Sequence, residues 1–198
     1  MNKKDIWENI YKERSRCILY PSENFVGFFY RTFIKEKKEN ISILELGCGW
    51  GNNLNFLRQE GYNPTGIDFS QEAVDYLKKQ NYDVHCNNIS QIDVNKYQSK
   101  FDLIYACGVL ECNNIPDIEK TLLFCYKALK ENGKIYILST NNDFYDKDLV
   151  PTPITKELFL SIIKKYDINF KNIQIDYLTK TLYNQEKTIK LIEITCSK

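Results

Sequence analysis

The chain has 198 residues, of which 43 % are hydrophobic and 14 % aromatic, enough to bury a sizeable core; 27 % are charged, as in an ordinary globular protein. This composition excludes a disordered, fibrous or disulfide-stapled chain. Lysine and arginine number 27 against 26 acidic residues, and a protein that chiefly binds nucleic acid usually carries a clear basic excess, so no nucleic-acid partner is expected.

Residues 3–38 read as helices broken by a turn at Pro21-Ser22, where Ser22 can cap a helix that starts near Asn24. Residues 1–40 are expected to form a helical lid over the sheet edge or the site. They are the most basic stretch, with Lys3, Lys4, Lys12, Arg14, Arg16, Arg31, Lys35, Lys37 and Lys38. Such a run suits a solvated helical face, and also an entrance that attracts an anionic substrate. The first residues are too polar for a signal peptide. No uninterrupted apolar run reaches the ~20 residues of a membrane span, so no membrane partner is expected.

From residue 41 the pattern alternates. Residues 41–46 form a short apolar strand ending at glycines, and Asn52 to Glu60 a helix stopped by Gly61. A second strand ends at Asp68; Ser70 can cap the next helix, with Glu72 in its first turn. Strands follow over 82–86 and 101–106. Pro116 opens a helix in which Ile118, Leu122, Cys125 and Leu129 recur at helical spacing, and Gly133 ends it. A fifth strand covers 134–139, a helix 155–166, and two strand-like runs, 168–178 and 188–196, form a hairpin. Strands alternating with helices predict an α/β fold: a doubly wound, mostly parallel seven-stranded sheet with a C-terminal antiparallel hairpin. No repeat or linker is visible, so residues 1–198 are read as one domain.

The seven cysteines are odd in number and form no C-x-x-C pair, which points to free thiols in a reducing cytoplasm and to no metal site.

The strongest motif is Glu45-Leu46-Gly47-Cys48-Gly49-Trp50-Gly51, between a strand and a helix. Glycines let backbone approach a ligand, and the helix N-terminus offers unpaired N–H groups. At the end of the next strand stands Asp68, a carboxylate suited to both hydroxyls of an adenosine ribose. The glycines fall at G-x-G-x-G, with Asn52 where a dinucleotide site would want glycine, which weighs against a dehydrogenase.

On ILELGCGWGNNL, TGIDFS, HCNNIS, FDLIYACGVLEC and the terminal hairpin, residues 41–196 resemble the class I S-adenosylmethionine-dependent methyltransferases. The resemblance implies S-adenosylmethionine as cofactor and S-adenosylhomocysteine as product. It implies Gly47, Cys48 and Gly49 at the methionine part with Glu45 nearby, Asp68 on the ribose, Phe69 and Asn88 at the adenine, Cys107 through its backbone, and Asn53 and Ile89 as further cofactor contacts. From the N-terminal helices, Tyr11 and Tyr20 either close over the cofactor or pack in the core or lid without touching it. Asn88 stands where the family often has an acidic residue, and Cys112 where many members have histidine. The N-terminal residues Trp7, Tyr11 and Tyr20-Pro21-Ser22-Glu23 resemble members linked to surface-carbohydrate biosynthesis.

Methyl transfer is an in-line displacement that needs a base only when the acceptor must lose a proton. The candidates are Glu111, also read as a helix-start residue, and His85, the chain's one histidine, also read as a buried structural residue. The expected acceptor is a small molecule, ranked first as a sugar or anionic sugar-linked metabolite of surface polysaccharide synthesis. A nucleic-acid methyltransferase is the alternative, disfavoured because Ala106-Cys107-Gly108-Val109 replaces the tetrapeptide of exocyclic-amine methylation. A non-catalytic scaffold is a third reading. A monomer or homodimer is expected.

Overall fold

The computed structural model describes residues 3–13, 20–33, 41–141, 151–182 and 187–198. Its frame is a seven-stranded sheet in the order β3-β2-β1-β4-β5-β7-β6. The parallel strands are β1 (Ile43–Leu46), β2 (Thr65–Asp68), β3 (Asp83–Cys86), β4 (Phe101–Cys107) and β5 (Leu129–Thr140). The hairpin expected at the C-terminus is β6 (Lys171–Leu182) and β7 (Lys187–Ser197), and β7 pairs antiparallel with β5. All four residues of β1 are buried, as a central parallel strand covered on both faces requires.

The helices are α1 (Lys3–Lys12), α2 (Glu23–Phe33), α3 (Asn52–Gln59), α4 (Gln71–Lys78), α5 (Val94–Tyr97), α6 (Ile115–Ala128) and α7 (Lys156–Lys165). Ser70 caps α4, accepting from the Ala73 N–H at 3.2 Å, and Thr155 caps α7 by accepting from Leu158. Ile118, Leu122 and Cys125 of α6 are buried, as their spacing predicts. Leu129 is also buried, but as the first residue of β5 paired with Phe101, so the helix ends five residues before Gly133. Helix α5 and the 3-10 turns Ile89–Gln91 and Leu110–Cys112 are too short to leave a periodic signature.

The two N-terminal helices have different jobs. Helix α2 starts at Glu23, with the Val26 N–H donating to the Ser22 carbonyl at 2.9 Å. It packs Phe25, Phe28, Phe29 and Phe33 against Leu103, Tyr105, Tyr136 and Leu138 of the sheet. It is a core layer, because four phenylalanines on one face need an apolar surface to cover. Helix α1 lies toward the site, in contact with α4. The basic residues at 14–19 and 34–38 lie outside the described residues. Among the described residues no helix is long and apolar enough to cross a membrane.

Phe25 stacks on Tyr105 with ring centroids 4.1 Å apart and an interplanar angle of 18°. Phe25→Ala should lower unfolding stability by about 3–5 kcal/mol in denaturant titration, the usual cost of removing a buried phenylalanine. A loss under about 1 kcal/mol would show that α2 is a detachable cover after all.

Candidate active site

The site lies at the C-terminal ends of β1 and β2, where a doubly wound sheet opens a crevice. The chain leaves β1 through Gly47 (φ 70°), Cys48 and Gly49 (φ 47°). The N–H groups of Gly47 and Cys48 donate to the Ile67 carbonyl at 2.7 and 3.2 Å, which pins the loop to β2. A Cβ on Gly47 would run into the Val109 side chain, and one on Gly49 would lie 2.9 Å from the Tyr11 hydroxyl. Both positions combine a left-handed backbone with no room for a side chain.

Glu45 is 2 % exposed. Its Oε1 accepts from Asn53 Nδ2 at 2.9 Å, whereas its Oε2 makes no hydrogen bond. The buried Tyr105 hydroxyl lies close to the Glu45 carboxyl but makes no hydrogen bond of good geometry to it. Burial, offset in part by Asn53 and the Tyr105 hydroxyl and with the Asp68 charge adding, pushes the Glu45 carboxyl up to about 8. Asn53 is spent at both ends, since its Oδ1 accepts from the Ser22 N–H at 2.9 Å. It therefore orients Glu45 and ties the start of α2 to the loop. Asn52 donates to the Tyr20 carbonyl at 2.9 Å, but the Tyr20 residue is 80 % exposed. The expected closure of Tyr20 over the site is not what the structure shows; its backbone is held and its ring faces solvent.

Asp68, also 2 % exposed, accepts from the Gly49 N–H through Oδ2 at 2.8 Å and from the Ser70 N–H through Oδ1 at 2.9 Å. Each oxygen keeps a lone pair for a further donor. Burial, against these amide bonds and with the Glu8 charge adding, pushes the Asp68 carboxyl up to about 6. Phe69 is half-buried beside it, and its carbonyl faces the Cys86 thiol at 3.5 Å. Asn88 Oδ1 accepts from both the N–H and the hydroxyl of Ser90, at 3.0 and 3.1 Å. Its amide nitrogen, rather than its oxygen, is left to meet a ligand. Ile89 is buried in the core. Cys107 ends β4, with its thiol pushed up by burial and by Glu45 and Glu111.

Tyr11 reaches the loop as expected, in contact with Gly49 and close to Asp68, Cys48 and Glu45. Trp50 packs edge-on to Tyr11 (5.7 Å) and Tyr76 (4.3 Å), so it joins α1 to α4. Glu8 escapes a reading by motif. One turn before Tyr11, its carboxylate accepts from the Ser70 hydroxyl and the Gln71 N–H, both at 2.8 Å, and from the Glu72 N–H at 3.3 Å. The available signal was a carboxylate three residues before Tyr11 on one helix face.

The two candidate bases are placed differently. Glu111 is buried and accepts from the Ser139 hydroxyl at 2.5 Å and from the Thr140 N–H and hydroxyl at 3.1 and 3.2 Å. It braces the end of β5. His85 is not buried: its side chain is 44 % exposed on edge strand β3, 3.3 Å from Asp83. The strand alternates, and Val84 takes the inward position.

An unpaired buried acceptor, a glycine-lined backbone and a second buried carboxylate fit the amino group, the chain and the ribose of an adenosyl amino acid. Comparison with known proteins bears on the family and the fold. The family described as "Methyltransferase domain" matches residues 44–135. A ubiquinone biosynthesis O-methyltransferase of Coxiella burnetii (strain Dugway 5J108-111) is 24 % identical over 159 residues, covering 77 % of this chain and 65 % of that protein. The chain thus spans just under two thirds of that relative's length. A SAM-dependent methyltransferase from Archaeoglobus fulgidus superposes with TM-score 0.70 at 16 % identity, covering 89 % of this chain and 95 % of the other. The 1,6-didemethyltoxoflavin-N1-methyltransferase of Burkholderia thailandensis, solved with bound 1,6-didemethyltoxoflavin and S-adenosylhomocysteine, gives TM-score 0.73 at 12 % identity, covering 98 % of this chain and 86 % of the other. At these identities the superpositions establish the fold.

The raised carboxyls make a pH prediction for the free protein. A group whose pKa is higher folded than unfolded contributes stability below its unfolded value and loses it as pH rises through the folded value. For Glu45 that window runs from about 4.5 to about 8. Thermal stability should therefore fall across this range, and Glu45→Gln should flatten the fall and be the more stable protein at pH 8. An identical pH profile for the two proteins would show that Glu45 titrates normally.

Proposed function

We propose that this chain is a class I S-adenosylmethionine-dependent methyltransferase that transfers a methyl group from S-adenosylmethionine to a small-molecule acceptor, a reading supported by the methyltransferase-domain match over residues 44–135. The observation that carries the reading is the buried Glu45 with one oxygen unpaired beside the glycine loop. A carboxylate in that state is matched by a cationic amine. Glu45 takes the ammonium of the methionine part, and Asn53 holds Glu45 in place. The backbone of Gly47, Cys48 and Gly49 lies under the cofactor, and Asp68 accepts from the ribose hydroxyls. Phe69, Ile89 and the Asn88 amide line the adenine, and Cys107 lies at the methyl-transfer side.

When bound, S-adenosylmethionine supplies an electrophilic methyl group on a sulfonium. What the protein adds is alignment of the acceptor with that methyl and exclusion of water. Glu45 and Asp68 give the cleft a negative field suited to a cationic cofactor. Glu111, with its oxygens bonded to Ser139 and Thr140, is assigned to bracing. His85, on an exposed edge strand, is assigned no proton transfer. For the acceptor, the basic residues of α1, Lys4 and Lys12, support a sugar-linked anion. The activity named for the Coxiella relative supports a hydroxyl acceptor of its kind.

Calorimetry on the wild type should show S-adenosylhomocysteine binding and no NAD binding. Asp68→Ala should weaken it about 10- to 100-fold, the worth of charge-assisted hydrogen bonds to two hydroxyls. Affinity should rise with pH and level off above about 8, as Glu45 ionises. Binding of NAD alone, or of none of these ligands, would falsify the methyltransferase reading in favour of a scaffold. Release of S-adenosylhomocysteine on mixing with anionic sugars or with phenols identifies the acceptor class.

A further inference from the structure

The Glu8 carboxylate fastens helix α1 to the site. Glu8 gathers the Ser70 hydroxyl and the Gln71 and Glu72 amides at the first turn of α4. That end of α4 carries unpaired N–H groups and a positive partial charge, so an acidic side chain is well placed there. Partial burial works against the Glu8 charge, but the Ser70 and amide bonds, with Lys4 nearby, hold its carboxyl below the usual range.

Ser70 is shared. Its hydroxyl donates to Glu8 while its N–H donates to Asp68. The fastening therefore touches the residue next to the proposed ribose carboxylate. One helical turn on, the Tyr11 hydroxyl sits against Gly49 and close to Asp68, Cys48 and Glu45. Those groups bound the space the cofactor would fill. Trp7, Tyr11 and Trp50 follow one another at 5.9 and 5.7 Å and extend the plug across the loop.

We propose that Glu8 is a positioning residue that latches α1 across the glycine loop, with Tyr11 standing in the path of the cofactor, so that cofactor entry requires the latch to open. The inference rests on the cofactor reading above. The free protein is then held mainly in a shut state, and the apparent affinity for the cofactor is lowered by the fraction of time the latch is open. A latch acting this way governs association. A cover acting after binding would govern dissociation.

The chain has two tryptophans, Trp7 and Trp50, and they flank Tyr11. Stopped-flow tryptophan fluorescence with S-adenosylhomocysteine follows the opening directly. Glu8→Ala should raise the association rate about tenfold and leave the dissociation rate within twofold, so that Kd falls about tenfold. Glu8→Gln, which keeps the shape without the charge, should fall between the two. Tyr11→Ala, which removes the plug and leaves the latch, should also speed association. Unchanged association in these variants, or faster dissociation with weaker binding, overturns the proposal. Amide hydrogen exchange without ligand tests it apart from the cofactor reading: residues 3–13 should exchange faster in Glu8→Ala, and equal protection overturns the latch. If the wild type binds no S-adenosylhomocysteine, it is the cofactor reading that falls.

Discussion

A carboxylate cannot be buried among aromatic rings without something to answer it, and Glu45 is the point where this chain meets that constraint. It sits at 2 % exposure on the face of the sheet covered by α2, next to Tyr105. Leaving the charge bare in such a place would be costly, so the site either keeps the proton or presents a donor. Asn53 supplies one donor and leaves the second oxygen open. Because Asn53 also accepts from the Ser22 amide, the position of Glu45 is tied to the first turn of α2. The phenylalanines of that helix in turn complete the core under β4 and β5. Ligand chemistry and core packing here share the same few residues.

The charges around the loop are of one sign. Asp68 raises the Glu45 carboxyl, and Glu8 raises that of Asp68. Three carboxylates so close would oppose folding if nothing balanced them. Backbone amides do much of the balancing, from Gly49 and Ser70 to Asp68 and from Gln71 and Glu72 to Glu8. These are fixed dipoles on a glycine loop and a helix N-terminus, so they remain in place whether or not a ligand arrives. The remaining demand for positive charge is what a sulfonium with an ammonium group could satisfy.

Glu111 shows the same chemistry put to another use. It is as buried as Glu45, but Ser139 and Thr140 occupy both its oxygens. Three of its acceptor positions are taken, and the residue serves to join the turn after β4 to the end of β5. Two buried glutamates thus differ in prospect because of their hydrogen-bond partners and not their burial.

By itself, the sequence determined the alternation of strands and helices, the terminal hairpin, the glycine loop and its pairing with Asp68. These are short-range matters: apolar periodicity, glycine at turns, and a carboxylate at a strand end. It also pointed to Tyr11 at the loop. What it could not decide were the contacts between residues far apart in the chain. The Glu8 clasp on α4 spans more than sixty positions, and the Asn53–Ser22 bond spans 31. Exposure is of the same kind: nothing local in Tyr20 or His85 says that their side chains face solvent, because that depends on which strand lies at the edge and what the neighbouring helix covers. Whether α2 would be lid or core was likewise settled only when its phenylalanines met a sheet face that lacked a cover, since burying apolar surface is a property of the pair and not of either segment.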